Sequence, residues 1–129
     1  MIVVLDTNAY SDWRRFGHWN TLISRADKVI VPSIVLGELR AGFLRGHQAG
    51  ANEDGLARFL AQRCVEVGVV GDATSRHYAV LKDHLRWAGK PIPEADVWIA
   101  AVAVEHAALL LTGDSHFEHL PQVSVGQWE

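Results

Sequence analysis

The sequence predicts a single-domain, three-layer α/β/α sandwich built around a mainly parallel sheet. Short, continuously apolar segments such as Ile2–Leu5 and Leu109–Thr112 alternate with helical segments along the chain. Strands that are apolar on both faces are typical of parallel sheets covered by helices on both sides. The length of 129 residues matches one domain, and no linker rich in Gly, Pro or Ser divides it, so we expect one domain over residues 1–129.

The first two predicted strands are short and rich in β-branched residues. Ile2–Leu5 is followed by Asp6-Thr7-Asn8, whose side chains favour turns and helix caps. A polar helical stretch that carries Trp13, Phe16 and Trp19 comes next. Val29–Val31 is the second strand, and we expect it to end at Pro32 because proline has no amide hydrogen for the sheet.

The middle of the chain predicts two helices and a strand. Ser33 is a suitable N-cap for a helix that runs to about Arg45 and stops at Gly46. A further helix covers roughly Asn52–Arg63. The third strand follows it, over Cys64–Val70.

The last third predicts two more helices and two strands. Asp72 is expected to cap a helix that ends near Trp87, before Gly89, Lys90 and two prolines. A helix from Glu94 or Ala95 to about Ala107 carries no charge between Val97 and Val104, so we expect it to be interior. Leu109–Thr112 is the fourth strand, and Val123–Val125 is a fifth strand at an edge.

The composition predicts an ordinary globular protein of the cytoplasm, with 49% hydrophobic and 21% charged residues. The longest purely apolar stretch, Val97–Val104, is far shorter than the roughly 20 residues that a membrane-spanning helix needs. The N-terminus reaches Asp6 without the basic flank of a secretory signal. The single Cys64 cannot form an internal disulfide, which favours a reducing compartment.

The net charge of −3 gives the chain no overall basic footprint for nucleic acid. Contacts with nucleic-acid phosphates would depend on local cations, and the candidates are Arg14, Arg15, Arg40 and Arg45. A solvated surface is the alternative role for these four. Trp13, Trp19 and Trp87 could stack on nucleic-acid bases, but packing or a protein interface is the more common role of such residues.

Four acidic residues are candidates for one shared site. Asp6 directly follows the first strand, and Asp114 follows the fourth after Gly113, so both project from the edge of the sheet where ligands bind. Asp96 lies in the first turn of the interior helix and would point back toward this edge. Glu38 has apolar or small neighbours one helical turn away, so we expect it to face inward. Each acid taken alone could instead close a turn, cap a helix or lie on a solvated surface.

The clustering of these acids would require a cation. Two carboxylates 4 Å apart repel by roughly 4 kcal/mol at an effective dielectric constant near 20. Four of them at one edge need a counterion or strongly raised pKa values. Mg²⁺ and Mn²⁺ prefer oxygen ligands, so the cluster predicts one of these ions and, with it, hydrolysis or phosphoryl chemistry.

Four segments of the chain, each containing one of the four acids, match the motifs of a known family in the same order. They are the opening strand with Asp6-Thr7-Asn8, the stretch Pro32-Ser33-Ile34-Val35-Leu36-Gly37-Glu38-Leu39, the stretch Asp96-Val97-Trp98-Ile99-Ala100-Ala101, and Leu111-Thr112-Gly113-Asp114-Ser115-His116-Phe117. Together they resemble the PIN-domain family, specifically the VapC-type toxins of bacterial toxin–antitoxin pairs. Their order and spacing fit that family, and the similarity covers essentially the whole chain.

The resemblance implies a PIN-like fold and an endoribonuclease in which Asp6, Glu38, Asp96 and Asp114 bind Mg²⁺ or Mn²⁺. It also implies that Thr7 and Asn8 form hydrogen bonds near the first acid. A small VapB-like antitoxin would occupy the site in the resting cell, and homodimers are usual in the family. The chain departs from the family at His116, where many relatives carry an additional acid, and this puts the second metal position in question.

The expected reaction is hydrolysis of an RNA phosphodiester. One metal ion, held mainly by Asp6 and Asp96, would lower the pKa of a bound water for in-line attack. Glu38 or Asp114 would complete the coordination through water. A second ion, if RNA brings one, would stabilise the leaving oxygen.

The alternatives to this reaction are a zinc site, a phosphotransfer domain and a non-catalytic binding module. His116, Glu118 and His119 with a distant Cys64 lack a clean zinc spacing, so these histidines are interpreted as surface loop residues. A Mg²⁺-dependent phosphotransfer or phosphatase domain would use Asp6 as a nucleophile, although Asn8 stands where the haloacid-dehalogenase pattern has a second acid. A non-catalytic, antitoxin-binding module is the third possibility.

Overall fold

A five-stranded parallel sheet forms the centre of the protein. The computed structural model describes residues 1–126. The strands are β1 (Ile2–Leu5), β2 (Lys28–Pro32), β3 (Val65–Gly68), β4 (Leu109–Leu111) and β5 (Ser124–Val125). They lie in the order β3-β2-β1-β4-β5, and all four pairings are parallel. The predicted α/β fold is confirmed, and so is the position of the last strand at an edge.

Helices connect the strands and cover the sheet. Their bounds are α1 (Thr7–Phe16), α2 (Asn20–Arg25), α3 (Ser33–Arg45), α4 (Ala49–Leu60), α5 (Asp72–Ala88) and α6 (Glu94–Glu105), with a short 3₁₀ helix at Ser115–His119. The chain first moves outward from β1 to β3 and then crosses back to β4, so the strand order reverses between β1 and β4. Because such crossovers are right-handed, the helices before β3 and those after it cover opposite faces. A reversal of this kind creates a crevice at the carboxyl ends of the strands.

Strand β1 and helix α6 contribute many of the buried residues of the core. Val3, Val4 and Leu5 are fully buried, as expected for a central parallel strand. Helix α6 is buried along Ile99–Ala103, which confirms the prediction that its uncharged stretch is interior. Trp98 was expected in the same core but is only partly buried, and its ring stacks on Tyr78 of α5 with the centroids 4.0 Å apart.

The three tryptophans considered for base stacking, Trp13, Trp19 and Trp87, occupy different environments. Trp19 is fully buried and Trp13 packs on Phe59 of α4, with a ring-centroid distance of 4.9 Å. Trp87 is 77% exposed near the end of α5. Trp19 therefore serves packing rather than base stacking.

The boundaries of two helical segments differ from the predictions. The stretch through Trp19 was predicted as one helix, but Gly17 ends α1 and Trp19 has a left-handed backbone (φ 60°), so α2 begins separately. Strand β2 ends at Pro32, as predicted, and Pro32 still pairs with Gly68 of β3. Helix α4 begins and ends about one turn earlier than the predicted Asn52–Arg63.

In the part of the chain that the structure describes, no helix combines the length and apolar character needed to cross a membrane.

Candidate metal centre

Asp6 is fixed at the carboxyl end of the central strand. Leu5 pairs with Leu111 of β4, which brings Asp6 beside Thr112. One carboxylate oxygen of Asp6 accepts the Ala9 amide hydrogen at 2.7 Å and thereby caps α1. The other accepts a hydrogen bond from the Thr112 hydroxyl. Asp6 is only 5% exposed, so these bonds hold a nearly buried carboxylate in one orientation.

Asp114 is held by the same threonine. The Thr112 hydroxyl oxygen accepts the Asp114 amide hydrogen at 3.0 Å. The Asp114 carboxylate in turn accepts the amide hydrogen of His116 at 2.8 Å and caps the 3₁₀ helix. One hydroxyl therefore ties the ends of β1 and β4 together, as expected from the predicted projection of both aspartates at one edge.

Asp96 reaches this edge from the first turn of α6. Its carboxylate lies 3.0 Å from Nδ1 of His116, and the same nitrogen lies 3.0 Å from Oδ1 of Asp114. One potential ligand atom from each of Asp96, Asp114 and His116 fits within 4.8 Å of the others. The structure thus brings three donor groups together, and one of them is a histidine.

Glu38 lies at the margin of this cluster. Its side chain is exposed, so the expectation that it faces inward is wrong. It nevertheless accepts a hydrogen bond from the Thr7 hydroxyl at 2.6 Å, and its negative charge contributes to raising the pKa of Asp96. Thr7 thus contacts Glu38 rather than the first acid, while Asn8 is exposed in the first turn of α1.

Burial and mutual repulsion both disfavour ionised carboxylates at this edge. Burial raises the pKa of Asp6 from 3.8 to about 6, and the Asp96 and Asp114 charges add to the rise against the hydrogen bonds from Thr112 and Ala9. Burial also raises the pKa of Asp96, with further rises from Asp114 and Glu38 and an opposing effect of the His116 hydrogen bond. The four acids therefore interact through their charges.

His116 lies at the surface, with 43% of its side chain exposed, but it also belongs to the cluster, which its interpretation as a surface loop histidine did not predict. Its hydrogen bond to Asp96, together with the charges of Asp114 and Asp96, raises the pKa of its ring above the ordinary value. The spacing Asp114-Ser115-His116 could have indicated this position. When an aspartate caps a 3₁₀ helix, its carboxylate accepts the backbone amide hydrogen of the residue two positions later, which brings that residue close to the carboxylate. Cys64 precedes β3 and its carbonyl bonds to Val29, so it lies at the opposite, amino-terminal edge of the sheet.

A cleft of about 450 Å³ adjoins Glu38 between α1, α3 and α4. We call it the arginine cleft, because Arg14, Arg15 and Arg45 line it together with Thr7, Tyr10, Ser11, Glu38, Leu39, Gly42, Phe43, Ala51, Asn52 and Gly55. Arg40, the fourth predicted phosphate contact, does not line this cleft. It forms an ion pair with Glu53 at 3.0 Å instead.

The residues at the acidic edge fit a divalent cation. Asp96 and Asp114 supply anionic oxygen donors, His116 supplies a nitrogen, and all three side chains are partly exposed. Burial first, and then the charges of neighbouring carboxylates, raise the pKa values of Asp6 and Asp96, so a bound cation would favour their ionised forms. An oxygen-rich site with uncompensated charge is the chemistry that Mg²⁺ and Mn²⁺ prefer. Such a site can polarise a phosphate and activate a water.

Comparison with known proteins gives a consistent assignment. The family model for the PIN domain matches residues 3–123. Ribonuclease VapC4 from Mycobacterium tuberculosis is 38% identical over 96 residues, which span 74% of this chain and 73% of that protein. Ribonuclease VapC5 from the same organism is 33% identical over 94 residues, spanning 73% of this chain and 70% of that protein.

Solved structures share the fold. A crystal structure of VapBC2 from Rickettsia felis, bound to a DNA fragment from their promoter, aligns over 100% of both chains with a TM-score of 0.85 and 24% identity. A crystal structure of VapBC-5 from Mycobacterium tuberculosis aligns over 96% of both chains with a TM-score of 0.75 and 29% identity. With a family match across nearly the full length and an acidic edge in the expected place, this chain belongs to the PIN-domain family.

Proposed function

We propose that this chain is a metal-dependent endoribonuclease and the toxin of a VapBC-type toxin–antitoxin pair. The observation that carries the proposal is the gathering of Asp6, Asp96 and Asp114, with Glu38 at their margin, at the switch point of the sheet. The relatives named ribonucleases VapC4 and VapC5 support RNA as the substrate. Hydrolysis of a phosphodiester is the reaction that this site chemistry favours.

The proposed site uses Asp6, Glu38, Asp96 and Asp114 to hold Mg²⁺ or Mn²⁺. When bound, such an ion lowers the pKa of a water so that it can attack phosphorus at neutral pH. Asp6 is the most rigid of the four because the Ala9 amide and the Thr112 hydroxyl occupy one lone pair on each of its oxygens. Thr7 supports Glu38 through the hydrogen bond between them.

The proposed role of the arginine cleft is to hold RNA phosphates beside the reacting bond. Arg14, Arg15 and Arg45 give it positive charge in a protein whose net charge is −3, and Glu38 joins it to the acidic edge. The charges of these arginines would also steer RNA toward the site. Arg40 is the weakest candidate of the four because Glu53 already neutralises it.

The partners follow from the same assignment. The similar solved structures named VapBC support a VapB-like antitoxin as the protein that blocks the site. We further propose a homodimer in the cytoplasm, with residues 1–129 forming one PIN nuclease domain. Residues 127–129 of that domain lie outside the residues that the structure describes.

The test is RNA cleavage by the purified chain, freed of antitoxin, with Mg²⁺, with Mn²⁺ and with a chelator. We expect discrete products that require the metal and that disappear in Asp6→Asn and in Asp96→Asn. Asp72→Asn is the matched control, since Asp72 is an aspartate at the start of α5 with an 83% exposed side chain. RNA that stays intact with every metal, or equal cleavage by wild type and both site variants, would overturn the proposal.

The phosphotransfer alternative has a separate readout. A nucleophilic Asp6 would have to turn an ionised oxygen toward phosphorus, whereas hydrogen bonds to both oxygens fix its orientation and burial raises its pKa to about 6. We therefore expect no beryllofluoride adduct on Asp6. A stable adduct would favour the phosphotransfer reading over the nuclease.

A further inference from the structure

His116 is the only nitrogen donor in the metal-binding cluster that the described residues form. Its Nδ1 atom lies 3.0 Å from Oδ2 of Asp96 and 3.0 Å from Oδ1 of Asp114. Adjacent ligands around an octahedral ion with bonds near 2.1 Å are roughly 3.0 Å apart. Nδ1 of His116 therefore already has, to each of the two carboxylate oxygens, the separation that a shared ion would impose, and the three donor groups lie within 4.8 Å of one another.

The local backbone holds the ring in this place. The His116 amide donates to the same Asp114 oxygen that its ring approaches, at 2.8 Å. The next residue, Phe117, is 1% exposed and anchors the 3₁₀ helix in the core. His116 therefore approaches the carboxylates from a short 3₁₀ helix that is held at two points, by the hydrogen bond to Asp114 and by the buried side chain of Phe117.

We propose that Nδ1 of His116 is a ligand of the ion bound between Asp96 and Asp114, and that this nitrogen makes the site prefer Mn²⁺ over Mg²⁺. Imidazole is a suitable ligand for transition metals, whereas Mg²⁺ favours oxygen donors and water. The inference rests on the proposed function only in that both place an ion at the acidic edge.

The competing role of His116 is a simple ion pair. A protonated ring between two carboxylates would reduce their repulsion without contacting a metal. Such a histidine would be displaced by the ion rather than bind it. The two roles differ in whether nitrogen is bonded to the metal, which spectroscopy measures directly.

The experiment uses Mn²⁺ as the probe with the purified, metal-free full chain. Mn²⁺ binding is measured by the loss of the free-ion electron paramagnetic resonance signal, and Mg²⁺ by competition. Electron spin echo envelope modulation then detects nitrogen bonded to Mn²⁺. The variants are His116→Asp, which restores an acid, and His119→Gln, a matched control at an exposed histidine in the same 3₁₀ helix.

We expect nitrogen coupling in the wild type and in His119→Gln, and none in His116→Asp. The added charge in His116→Asp attracts both ions, so the informative quantity is the ratio of the two affinities. We expect the Mn²⁺ to Mg²⁺ affinity ratio to fall by roughly tenfold or more in His116→Asp, as for losses at other metal sites.

Two results would overturn the inference. Bound Mn²⁺ without nitrogen coupling in the wild type would show that His116 only pairs with the acids. Coupling that persists in His116→Asp would assign the nitrogen to another residue. In either case metal-dependent RNA cleavage would leave the proposed function standing, whereas a protein that neither binds Mn²⁺ nor cleaves RNA would contradict both.

Discussion

The acidic edge and the arginine cleft are neighbours, yet they are built differently. At the edge, Asp6, Asp96 and Asp114 come from strand ends and a helix start, and short hydrogen bonds fix them. In the cleft, long exposed arginines extend from helices. The difference indicates separate tasks, because metal chemistry needs fixed donors whereas phosphate attraction needs mainly charge.

Arg14 packs closely against α4 in the arginine cleft. A Cβ atom added at Gly55 of α4 would lie 3.0 Å from Nη2 of Arg14. The absence of a side chain at this position therefore lets the guanidinium lie against α4. Arg14 also lies 5.8 Å from the centroid of the Trp13 ring. These two contacts restrict the position of the Arg14 side chain, as hydrogen bonds restrict the carboxylates at the acidic edge.

The largest expected effect is on stability, at the edge. Without metal at pH 8, Asp6→Asn should raise the free energy of unfolding by up to about 3 kcal/mol, since a pKa raised from 3.8 to about 6 penalises the charged form. The folded state holds the Asp6 proton more tightly than the unfolded state. Wild-type stability should therefore fall as pH rises from about 4 to 6, and the advantage of the variant should grow over that window.

Chemical denaturation of the metal-free proteins at several pH values measures this difference. Asp72→Asn should show no comparable pH-dependent gain, because its side chain is 83% exposed. An advantage of Asp6→Asn that is as large at pH 4 as at pH 8 would contradict the assignment of the effect to Asp6 burial.

The second effect separates the two regions by metal binding. At a hundred times its dissociation constant, a bound ion stabilises the fold by about 2.7 kcal/mol. We expect Mn²⁺ to raise the melting temperature of the wild type and of Arg14→Ala, and not that of Asp96→Asn. Thermal unfolding with Mn²⁺ and with chelator measures this. An equal shift in Asp96→Asn would place the ion elsewhere.

The third effect concerns the cleft. In an Asp96→Asn background that prevents cleavage, Arg14→Ala and Arg45→Ala should weaken RNA binding. Each should also reduce the slope of log affinity against log salt by about 0.7, the value for one phosphate contact on a single strand. Arg40→Ala is the control, because Arg40 pairs with Glu53 outside the cleft. An equal loss in Arg40→Ala would mean that RNA does not follow the cleft.

The smallest effect tests the close contact of Arg14. Gly55→Ala should displace the flexible guanidinium without unfolding α4, and weaken RNA binding by roughly threefold, within the range of a surface ion pair. Gly50→Ala lies on the same helix with no atom within 4 Å of the added Cβ and should leave binding unchanged. Equal binding by the two variants would show that the position of Arg14 is unimportant.

Much of the fold was predictable because apolar strands and their ends leave a clear pattern. Ile2–Leu5 and Leu109–Leu111 were identified, and so Asp6 and Asp114 could be placed at one edge. The start of α2 was not predicted, because a left-handed backbone at Trp19 follows no residue preference. Gly17 was the remaining sign of a break there.

The site was harder to predict where side-chain direction decides the contacts. The exposure of Glu38 and its bond to Thr7 depend on how α1 and α3 pack, which no local pattern encodes. His116 joined the cluster through a 3₁₀ turn that periodicity does not reveal. The arginines were identified by charge alone, and only the fold separated Arg40 from the three that line the cleft.

The division of tasks between the two regions is tested most directly by cleavage kinetics with a defined RNA and Mn²⁺. We compare Asp114→Asn at the edge with Arg14→Ala in the cleft. We expect a fall in kcat with little change in KM for Asp114→Asn, and a rise in KM with kcat nearly unchanged for Arg14→Ala. The reverse pattern, or a loss of kcat that is equal in both variants, would contradict this division of tasks.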